Sequence, residues 1–192
     1  MKKRIAIFAS GSGTNAEAIM QHFSNHTTAE VALILSNKVD AFVLERAKKH
    51  HVPTKVFNRA TFRDTNEVVA LLQAENISLI VLAGFLWLIP EQMVEAFPNQ
   101  IINIHPALLP KYGGKGMYGM RVHEAVKAAG ETETGITIHY VNEAYDEGQI
   151  IEQAKCAVLP EDSPEDIAQK IHQLEHEYFS KVIAQLVNNE VT

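Results

Sequence analysis

Residues 5–23 read IAIFASGSGTNAEAIMQHF, in which an apolar run is followed by a glycine-rich turn and then by apolar residues at helical spacing. The run Ile5 to Ala9 predicts a strand, and Ala16, Ile19 and Phe23 predict one face of a helix. A strand, a loop and a helix in this order form the first unit of a sheet that is covered by helices. This segment therefore decides the fold class.

The same alternation continues along the first half of the chain. Apolar runs predict further strands at residues 31–35, 52–57, 77–83 and 101–104. Asp40 is placed to cap a helix through Ala47, and the other helical patterns lie around residues 68–72 and 90–97. Strands that alternate with helices in this way predict a parallel sheet with right-handed crossovers.

The pattern changes in the second half of the chain. A helix from Met120 to Ala129 is followed by two β-runs without a helix between them, at residues 134–141 and 150–158, and Ser163-Pro164 then starts a long final helix. Two consecutive β-runs predict an antiparallel edge or hairpin. We predict an α/β fold with a single domain over residues 1–192: a doubly wound, mostly parallel sheet with helices on both faces and an antiparallel C-terminal edge.

Composition limits the classes of function. Apolar residues make up 46% and charged residues 21%, as in ordinary globular proteins, and the net charge of −6 argues against binding nucleic acid through a broad basic face. The apolar run after Met1-Lys2-Lys3-Arg4 is too short for a signal peptide, and the longest apolar stretch, around residues 79–89, is too short to span a bilayer. We therefore expect a soluble, cytoplasmic protein that binds neither nucleic acid nor membrane.

The glycine-rich turn is a candidate anion site. Residues 10–15 (SGSGTN) precede the first helix, where backbone N–H groups and the positive end of the helix dipole converge. The second strand ends in Ser36-Asn37-Lys38 where a dinucleotide site needs an acid, and no Gly-Lys-Ser/Thr of a nucleoside triphosphatase follows. The alternative is a tight turn that simply needs glycines.

A second candidate site lies at the end of the strand at residues 101–104. Strand alternation puts Asn103 and His105 on one face, at the carboxyl end where α/β sheets bind ligands. An amide that can donate to an oxyanion and an imidazole that can move a proton suit acyl transfer, although both residues could instead satisfy backbone groups. An aspartate commonly orients such an imidazole. Asp146 is one candidate, and Glu143 and Glu147 serve equally well by sequence alone.

Five motifs together resemble one family. They are GSGTN (11–15), LAGF (82–85), NIHPALLP (103–110), GITIH (135–139) and DEGQI (146–150). Their order over nearly the whole chain is similar to that in the phosphoribosylglycinamide formyltransferases, a branch of the folate-dependent formyltransferase family with a Rossmann-like fold. The resemblance implies an enzyme of purine synthesis that transfers a formyl group from 10-formyltetrahydrofolate to the amine of glycinamide ribonucleotide, without a metal.

The resemblance also assigns roles to residues at matching positions. It implies that His105 is the general acid and base, that Asn103 stabilises the oxyanion, and that Asp146 orients His105 and raises its pKa. It gives the ribonucleotide to Gly13, Thr14, Asn15 and Glu175. It gives the folate to Arg63, Leu86, Trp87, Leu88, Ile89, Asn142, Glu143, Ala144 and Tyr145.

Four details qualify this assignment. Thr137 and His139 match supporting positions near the catalytic group, or are a polar strand face. His172 and His176 share a helix face, but without a third ligand we expect no metal. Trp87 stands where many relatives carry arginine, which leaves packing or stacking as its contribution to the folate pocket. The glycine-rich stretch from Lys111 to Gly119 is either a mobile lid or an adaptable surface loop.

Several alternatives remain open at this stage. A formyltransferase that acts on another amine, such as initiator methionyl-tRNA or an amino sugar, and a 10-formyltetrahydrofolate hydrolase both usually carry further domains. A non-catalytic nucleotide-binding regulator explains the glycine-rich turn but gives Asn103, His105 and Asp146 no common purpose. The sequence leaves a monomer and a homodimer equally open.

Overall fold

A mixed sheet forms the centre of the structure, a computed structural model that describes residues 1–188. Among these residues it has seven strands in the order β3-β2-β1-β4-β5-β6-β7. The strands are β1 (Lys3–Phe8), β2 (Ala29–Ser36), β3 (Thr54–Val56), β4 (Ile77–Leu82), β5 (Ile101–His105), β6 (Glu133–Tyr140) and β7 (Ile150–Ala157). The first five are parallel, and β6 and β7 are antiparallel to their neighbours. The predicted sheet is confirmed.

Helices connect and cover the strands. They are α1 (Thr14–Phe23), α2 (Val43–Lys49), α3 (Arg59–Arg63), α4 (Glu67–Ala74), α5 (Glu91–Ala96), α6 (Met120–Ala128) and α7 (Pro164–Asn188). Within residues 1–188, no helix is at once long and apolar enough to cross a membrane. The predicted domain runs to residue 192, and its last four positions lie outside the described residues.

Two hydrophobic clusters pack on opposite faces of the sheet. Along β1 the side chains alternate: Ile5 and Ile7 belong to one cluster, and Ala6 and Phe8 belong to the other. The first, the α7-side cluster, is completed by residues of α1, α2, α6 and α7. The second, the α4-side cluster, is completed by residues of α3, α4 and α5. Alternation along a strand that is buried on both faces thus explains why β1 is apolar without a break from Ile5 to Phe8.

One local prediction was wrong, and one helix was missed. Asp40 does not cap α2, because a turn from Lys38 to Ala41 intervenes and the helix begins only at Val43. Helix α3 was not predicted, since its five residues show no helical apolar period. Its start is fixed by a capping box, in which Asn58 and Thr61 each accept a hydrogen bond from the other's backbone N–H.

The topology determines where a ligand can bind. Strand β1 lies between β2 and β4, so the connections from β1 and from β4 leave the sheet in opposite directions. The carboxyl ends of strands at such a switch point form a crevice. The glycine-rich turn follows β1, residues 83–89 follow β4, and Asn103 and His105 end β5, so all three segments meet at this crevice.

Candidate active site

A cavity of about 670 Å³ opens at the carboxyl ends of β1, β4 and β5. Its size falls within the range of small-molecule sites. Its walls come from the glycine-rich turn, the segment after β4, the end of β5, the loop before α6, the loop before β7 and one face of α7. The residues in these segments are 10–15, 82–89, 103–106, 114–119 and 144–146, with His172 and Glu175 on α7. The cavity therefore brings together residues from both ends of the chain.

Asn103 and His105 lie side by side at the end of β5, facing the cavity. In the antiparallel register Asn103 is opposite His139, and its Nδ2 lies 3.1 Å from His139 Nε2. His139 Nδ1 in turn lies 2.8 Å from the carbonyl oxygen of Tyr140, which can only accept, so Nδ1 carries a proton. In a neutral His139, Nε2 is then the acceptor for Asn103. The other N–H of the Asn103 amide makes only a long contact, to Asp146 Oδ1 at 3.5 Å, which a ligand oxygen can replace.

Asp146 lies in the loop between β6 and β7 and reaches the two histidines. Its Oδ2 is 3.5 Å from Nδ1 of His105, and its Oδ1 is 3.7 Å from Nε2 of His139. Glu143 and Glu147, the acids that the sequence left open, are exposed. The backbone of Asp146 is left-handed, with φ of 57°. The carboxylate points inward, and the side chain is 12% exposed.

His105 has an acceptor on each ring nitrogen. Its Nε2 is 2.8 Å from the carbonyl oxygen of Tyr112, so this nitrogen carries a proton, and Nδ1 faces the carboxylate of Asp146. Burial lowers the pKa of His105 and outweighs the opposite effects of Asp146 and of the Tyr112 carbonyl. The resemblance implied a raised pKa. Asp146 does act in that direction, but the net pKa lies below its ordinary value because the ring is 3% exposed.

The carboxylate of Asp146 is held in its charged form. Burial acts to raise its pKa, but the nearby imidazole of His139, the charge of His105 and the backbone N–H of Gly114 together lower it. The Gly114 N–H donates to Oδ2 at 2.9 Å. Asp146 is therefore an anion that faces the proton-exchanging edge of His105.

The glycine-rich turn and α7 form the other end of the cavity. Gly13 precedes α1 with φ of 72°, and a Cβ at this position would lie 2.4 Å from Cγ2 of Val43. The close approach of α2 thus requires glycine here and leaves the first N–H groups of α1 facing the cavity. Asn15 Nδ2 donates to Glu175 Oε2 at 3.0 Å. The same oxygen is 3.0 Å from His172 Nδ1, which raises the pKa of His172.

The residues predicted to bind folate divide into two groups. Those that line the cavity are Leu86, Trp87, Leu88, Ile89, Ala144 and Tyr145. Arg63, Asn142 and Glu143 are exposed and do not line it. Arg63 ends α3, where its carbonyl oxygen accepts from Gln92 Nε2 at 3.3 Å. Its assignment stays a prediction.

The two supporting residues on β6 also differ. His139 lines the cavity, whereas Thr137 is buried behind it. The hydroxyl of Thr137 donates to the Ala107 carbonyl at 2.7 Å and accepts from the Leu109 N–H at 3.0 Å. Thr137 therefore fixes the chain that follows His105 and does not face the cavity.

Trp87 is anchored by other aromatic side chains. The centroid of its ring lies 5.8 Å from that of Phe62, 6.1 Å from that of Phe57 and 6.2 Å from that of Phe85, in tilted or edge-on geometry. These rings belong to the α4-side cluster, against which Trp87 packs. The indole is thus a rigid apolar part of the cavity wall where many relatives were expected to carry a charge.

Some residues of the cavity were not predicted. His123 on α6 lines the wall, is buried, and has no hydrogen-bond partner for Nδ1 among residues 1–188. Lys38, Lys115 and Arg121 add positive charge to the wall. The backbone contacts of Tyr112 and Gly114 were not predicted, because they depend on the conformation of the turn. The glycines after Tyr112 were the sequence feature that could have indicated this turn. Within residues 1–188, no group of three His, Cys, Asp or Glu could hold a metal ion.

Comparisons with known proteins place the chain among formyltransferases. The model of the formyl transferase family matches residues 3–183. The chain is 38% identical to the chloroplastic phosphoribosylglycinamide formyltransferase of Arabidopsis thaliana, over 99% of this chain and 67% of that protein. It is 38% identical to the enzyme of the same name from Bacillus subtilis, over 96% of this chain and 95% of that protein.

A solved structure shows the same similarity. The crystal structure of glycinamide ribonucleotide transformylase 1 from Geobacillus kaustophilus superposes with a TM-score of 0.89 at 36% identity, covering 98% of this chain and 100% of that one. The similarity therefore extends from sequence to fold over nearly the whole chain.

Proposed function

The chain belongs to the formyl transferase family, and on this premise we propose that it transfers the formyl group of 10-formyltetrahydrofolate to the amine of glycinamide ribonucleotide, a step of purine synthesis. The arrangement of Asn103, His105 and Asp146 at the end of β5 is the observation that carries the proposal. The chain is long enough to match the relatives from Bacillus subtilis and Geobacillus kaustophilus over nearly their full lengths.

The cavity has a separate place for each substrate. The N–H groups at the start of α1 and the nearby Lys38 suit a phosphate, and Glu175 suits the polar glycinamide end of the same molecule. The apolar wall from Leu86 to Ile89 and the ring of Tyr145, which lines the same cavity, suit the flat rings of a folate. The amine and the formyl carbon then meet between these two regions, beside Asn103 and His105.

The reaction needs one bond to form, one to break and one proton to move. The amine nitrogen attacks the formyl carbon, and the N–H of the Asn103 amide that makes only the long contact to Asp146 donates to the oxyanion that develops. Nδ1 of His105, which is unprotonated in the neutral ring, accepts the proton that the amine loses. The same proton passes to N10 of tetrahydrofolate as the bond between N10 and the formyl carbon breaks. Asp146 stabilises the imidazolium between these two transfers.

The finer assignments belong to the same proposal. We assign the phosphate to Gly13, Thr14 and Asn15, the glycinamide end to Glu175, and the folate to the segments 86–89 and 142–145 and to Arg63. We further propose a single domain over residues 1–192 that acts in the cytoplasm as a monomer or homodimer, on small molecules and without a metal. The net charge of −6 supports substrates other than nucleic acid.

The test is a coupled assay with purified protein. We expect 10-formyltetrahydrofolate to be converted to tetrahydrofolate only when glycinamide ribonucleotide is present, and to the same extent after treatment with a chelator. Equal conversion without the ribonucleotide would identify a hydrolase. Conversion with a different amine, and none with the ribonucleotide, would refute the proposed acceptor.

A further inference from the structure

One short turn contacts both members of the His105–Asp146 pair. We call residues Tyr112 to Gly114 the clamp turn. The carbonyl oxygen of Tyr112 accepts from Nε2 of His105 at 2.8 Å, and the N–H of Gly114 donates to Oδ2 of Asp146 at 2.9 Å. A single segment therefore offers an acceptor to the imidazole and a donor to the carboxylate.

These two contacts determine which nitrogen of His105 can exchange a proton. The Tyr112 carbonyl holds a proton on Nε2, so the neutral ring keeps its lone pair on Nδ1. Nδ1 is the nitrogen that faces Asp146, at 3.5 Å, and His105 itself lines the cavity. If the carbonyl moved away, the proton could shift to Nδ1, where the carboxylate would favour it, and the base would point away from the substrates.

The clamp turn adopts a conformation that few sequences adopt unaided. Tyr112 has φ of 57° and Gly114 has φ of 93°, both in the left-handed region. At Gly113 a Cβ would lie 2.6 Å from Leu109 Cδ2 and 3.3 Å from Asp146 Cβ. A non-glycine residue such as Tyr112 stays left-handed only where its surroundings hold it there.

Glu131 supplies that support from outside the cavity. The hydroxyl of Tyr112 donates to Glu131 Oε1 at 2.9 Å, and Lys111 Nζ donates to the same oxygen at 2.8 Å. The first residue of the clamp turn and the residue before it are thus attached to one carboxylate, whose side chain is 24% exposed. Glu131 lines a smaller cavity of about 260 Å³ behind the clamp turn and is absent from the wall of the larger one.

We propose that Glu131 is a positioning residue for formyl transfer, which acts through the Tyr112 hydroxyl to hold the clamp turn and thereby keep the proton of neutral His105 on Nε2. The inference rests on the proposed function for its catalytic consequence. The chain offers a matched control in Glu133, which pairs with Lys155 at 2.9 Å beside the same small cavity but is 55% exposed and does not contact the turn.

The kinetic test compares Tyr112→Phe, Glu131→Ala, Glu131→Gln and Glu133→Ala. Tyr112→Phe and Glu131→Ala should each lower kcat about tenfold, which is the range of one lost hydrogen bond, with KM for both substrates within about twofold. The double variant should be no worse than Glu131→Ala alone, because that change already removes the contact between Glu131 and the Tyr112 hydroxyl. Glu131→Gln keeps an acceptor and should recover most of kcat, and Glu133→Ala should leave kcat unchanged.

The direct test is nitrogen NMR of the histidine rings without substrates. In the wild-type protein His105 should show a protonated Nε2 and an unprotonated Nδ1 at pH above its pKa, and Tyr112→Phe and Glu131→Ala should both increase the Nδ1–H form. An unchanged His105 tautomer in both variants, or an equal loss of kcat in Glu133→Ala, would overturn the proposal. Since the tautomer is measured without turnover, it tests the clamp even if the proposed substrates fail to react.

Discussion

Asn15 at the start of α1 donates to Glu175 on α7 at 3.0 Å, although the two residues lie 160 positions apart. The Glu175 side chain is 8% exposed, and its Oε2 also lies 3.0 Å from His172 Nδ1. The carboxylate of Glu175 is thus held between an amide and an imidazole, beside the N-terminus of α1. It is oriented before any ligand binds. This preorganisation leads to the first prediction.

Glu175→Gln should weaken binding of the ribonucleotide. The variant removes the charge that would accept hydrogen bonds from the glycinamide end, and bonds to charged groups contribute about 1.5–3 kcal/mol, so KM for glycinamide ribonucleotide should rise about 10- to 100-fold. KM for the folate should stay unchanged. The control is Glu177→Gln on the same helix, whose carboxylate is exposed and pairs with Lys181. An equal effect of both variants would contradict a specific contact.

Asp146→Asn should lower kcat and leave the affinity for both substrates intact. The amide cannot stabilise the imidazolium of His105, and proton transfer by a positioned group contributes about 10²-fold or more. Asparagine tolerates the left-handed backbone of this position, so the loop should keep its shape. Glu147→Gln, an exposed neighbour, is the control. Retention of full kcat by Asp146→Asn would exclude Asp146 as the partner of His105.

Gly13→Ala should be far more harmful than Gly11→Ala. A Cβ at Gly13 would lie 2.5 Å from Cβ of Val43 at a left-handed φ of 72°, whereas a Cβ at Gly11 meets no described atom within 4 Å. Forcing a side chain into such a position costs on the order of 1–3 kcal/mol of the free energy of unfolding. Urea unfolding measures the difference. A loss at Gly11 as large as that at Gly13 would contradict the steric argument.

The free energy of unfolding should fall as the pH drops below about 6.5. Burial lowers the pKa of His123 and of His105 in the folded protein, so the unfolded chain binds more protons in this window. His123→Gln should therefore reduce the loss. His172 has a raised pKa through its hydrogen bond with Glu175, so it stabilises the fold on acidification, and that contribution is lost as the pH rises.

His172→Gln should accordingly make the free energy of unfolding fall more steeply on acidification. Because His123→Gln should have the opposite effect, the two variants together distinguish titration of these histidines from nonspecific destabilisation at low pH. Urea unfolding at several pH values between about 5 and 8 provides the measurement. A pH dependence that is the same in both variants and in the wild type would refute the prediction.

The fluorescence of Trp87 should report on folate. Trp87 is the one tryptophan of the chain and lines the cavity on the wall assigned to the folate. Binding of an unreactive folate analogue should quench its emission, because flat aromatic ligands stack against such a wall. Glycinamide ribonucleotide alone should change the emission little, and Trp87→Phe should remove the signal. A larger response to the ribonucleotide than to the folate would reverse the assignment of the two regions.

The sequence predicted the fold well because the strands and most helices have strong local patterns. Leu79 to Leu82 is buried on both faces and is one apolar run, and the start of α7 is marked by Ser163 and Pro164. Helix α3 has five residues and a polar sequence, so its capping box alone marks it. The predicted start of a helix was wrong where contacts between residues distant in sequence stabilise the preceding turn, as at Asp40.

The site was predictable only in part. Asn103 and His105 follow from strand alternation, which is a local property. The proximity of Asp146, in preference to Glu143 or Glu147, depends on a left-handed backbone and on the Gly114 N–H, neither of which has a local pattern. The pKa of His105 depends on how deeply the folded chain buries the ring. The family resemblance predicted the rise that Asp146 causes but not the larger decrease that burial causes.

The sheet also acts as a partition between the two proposed substrates. The wall assigned to the folate rests on Phe85 and Ile89 of the α4-side cluster, and the wall assigned to the ribonucleotide rests on Ala16 and Ile171 of the α7-side cluster. Repacking on one side of the sheet can therefore reshape the site of one substrate while the other site stays intact. The fold thus allows specificity for the formyl donor and specificity for the amine to change independently in evolution. The catalytic strand β5 borders both sites.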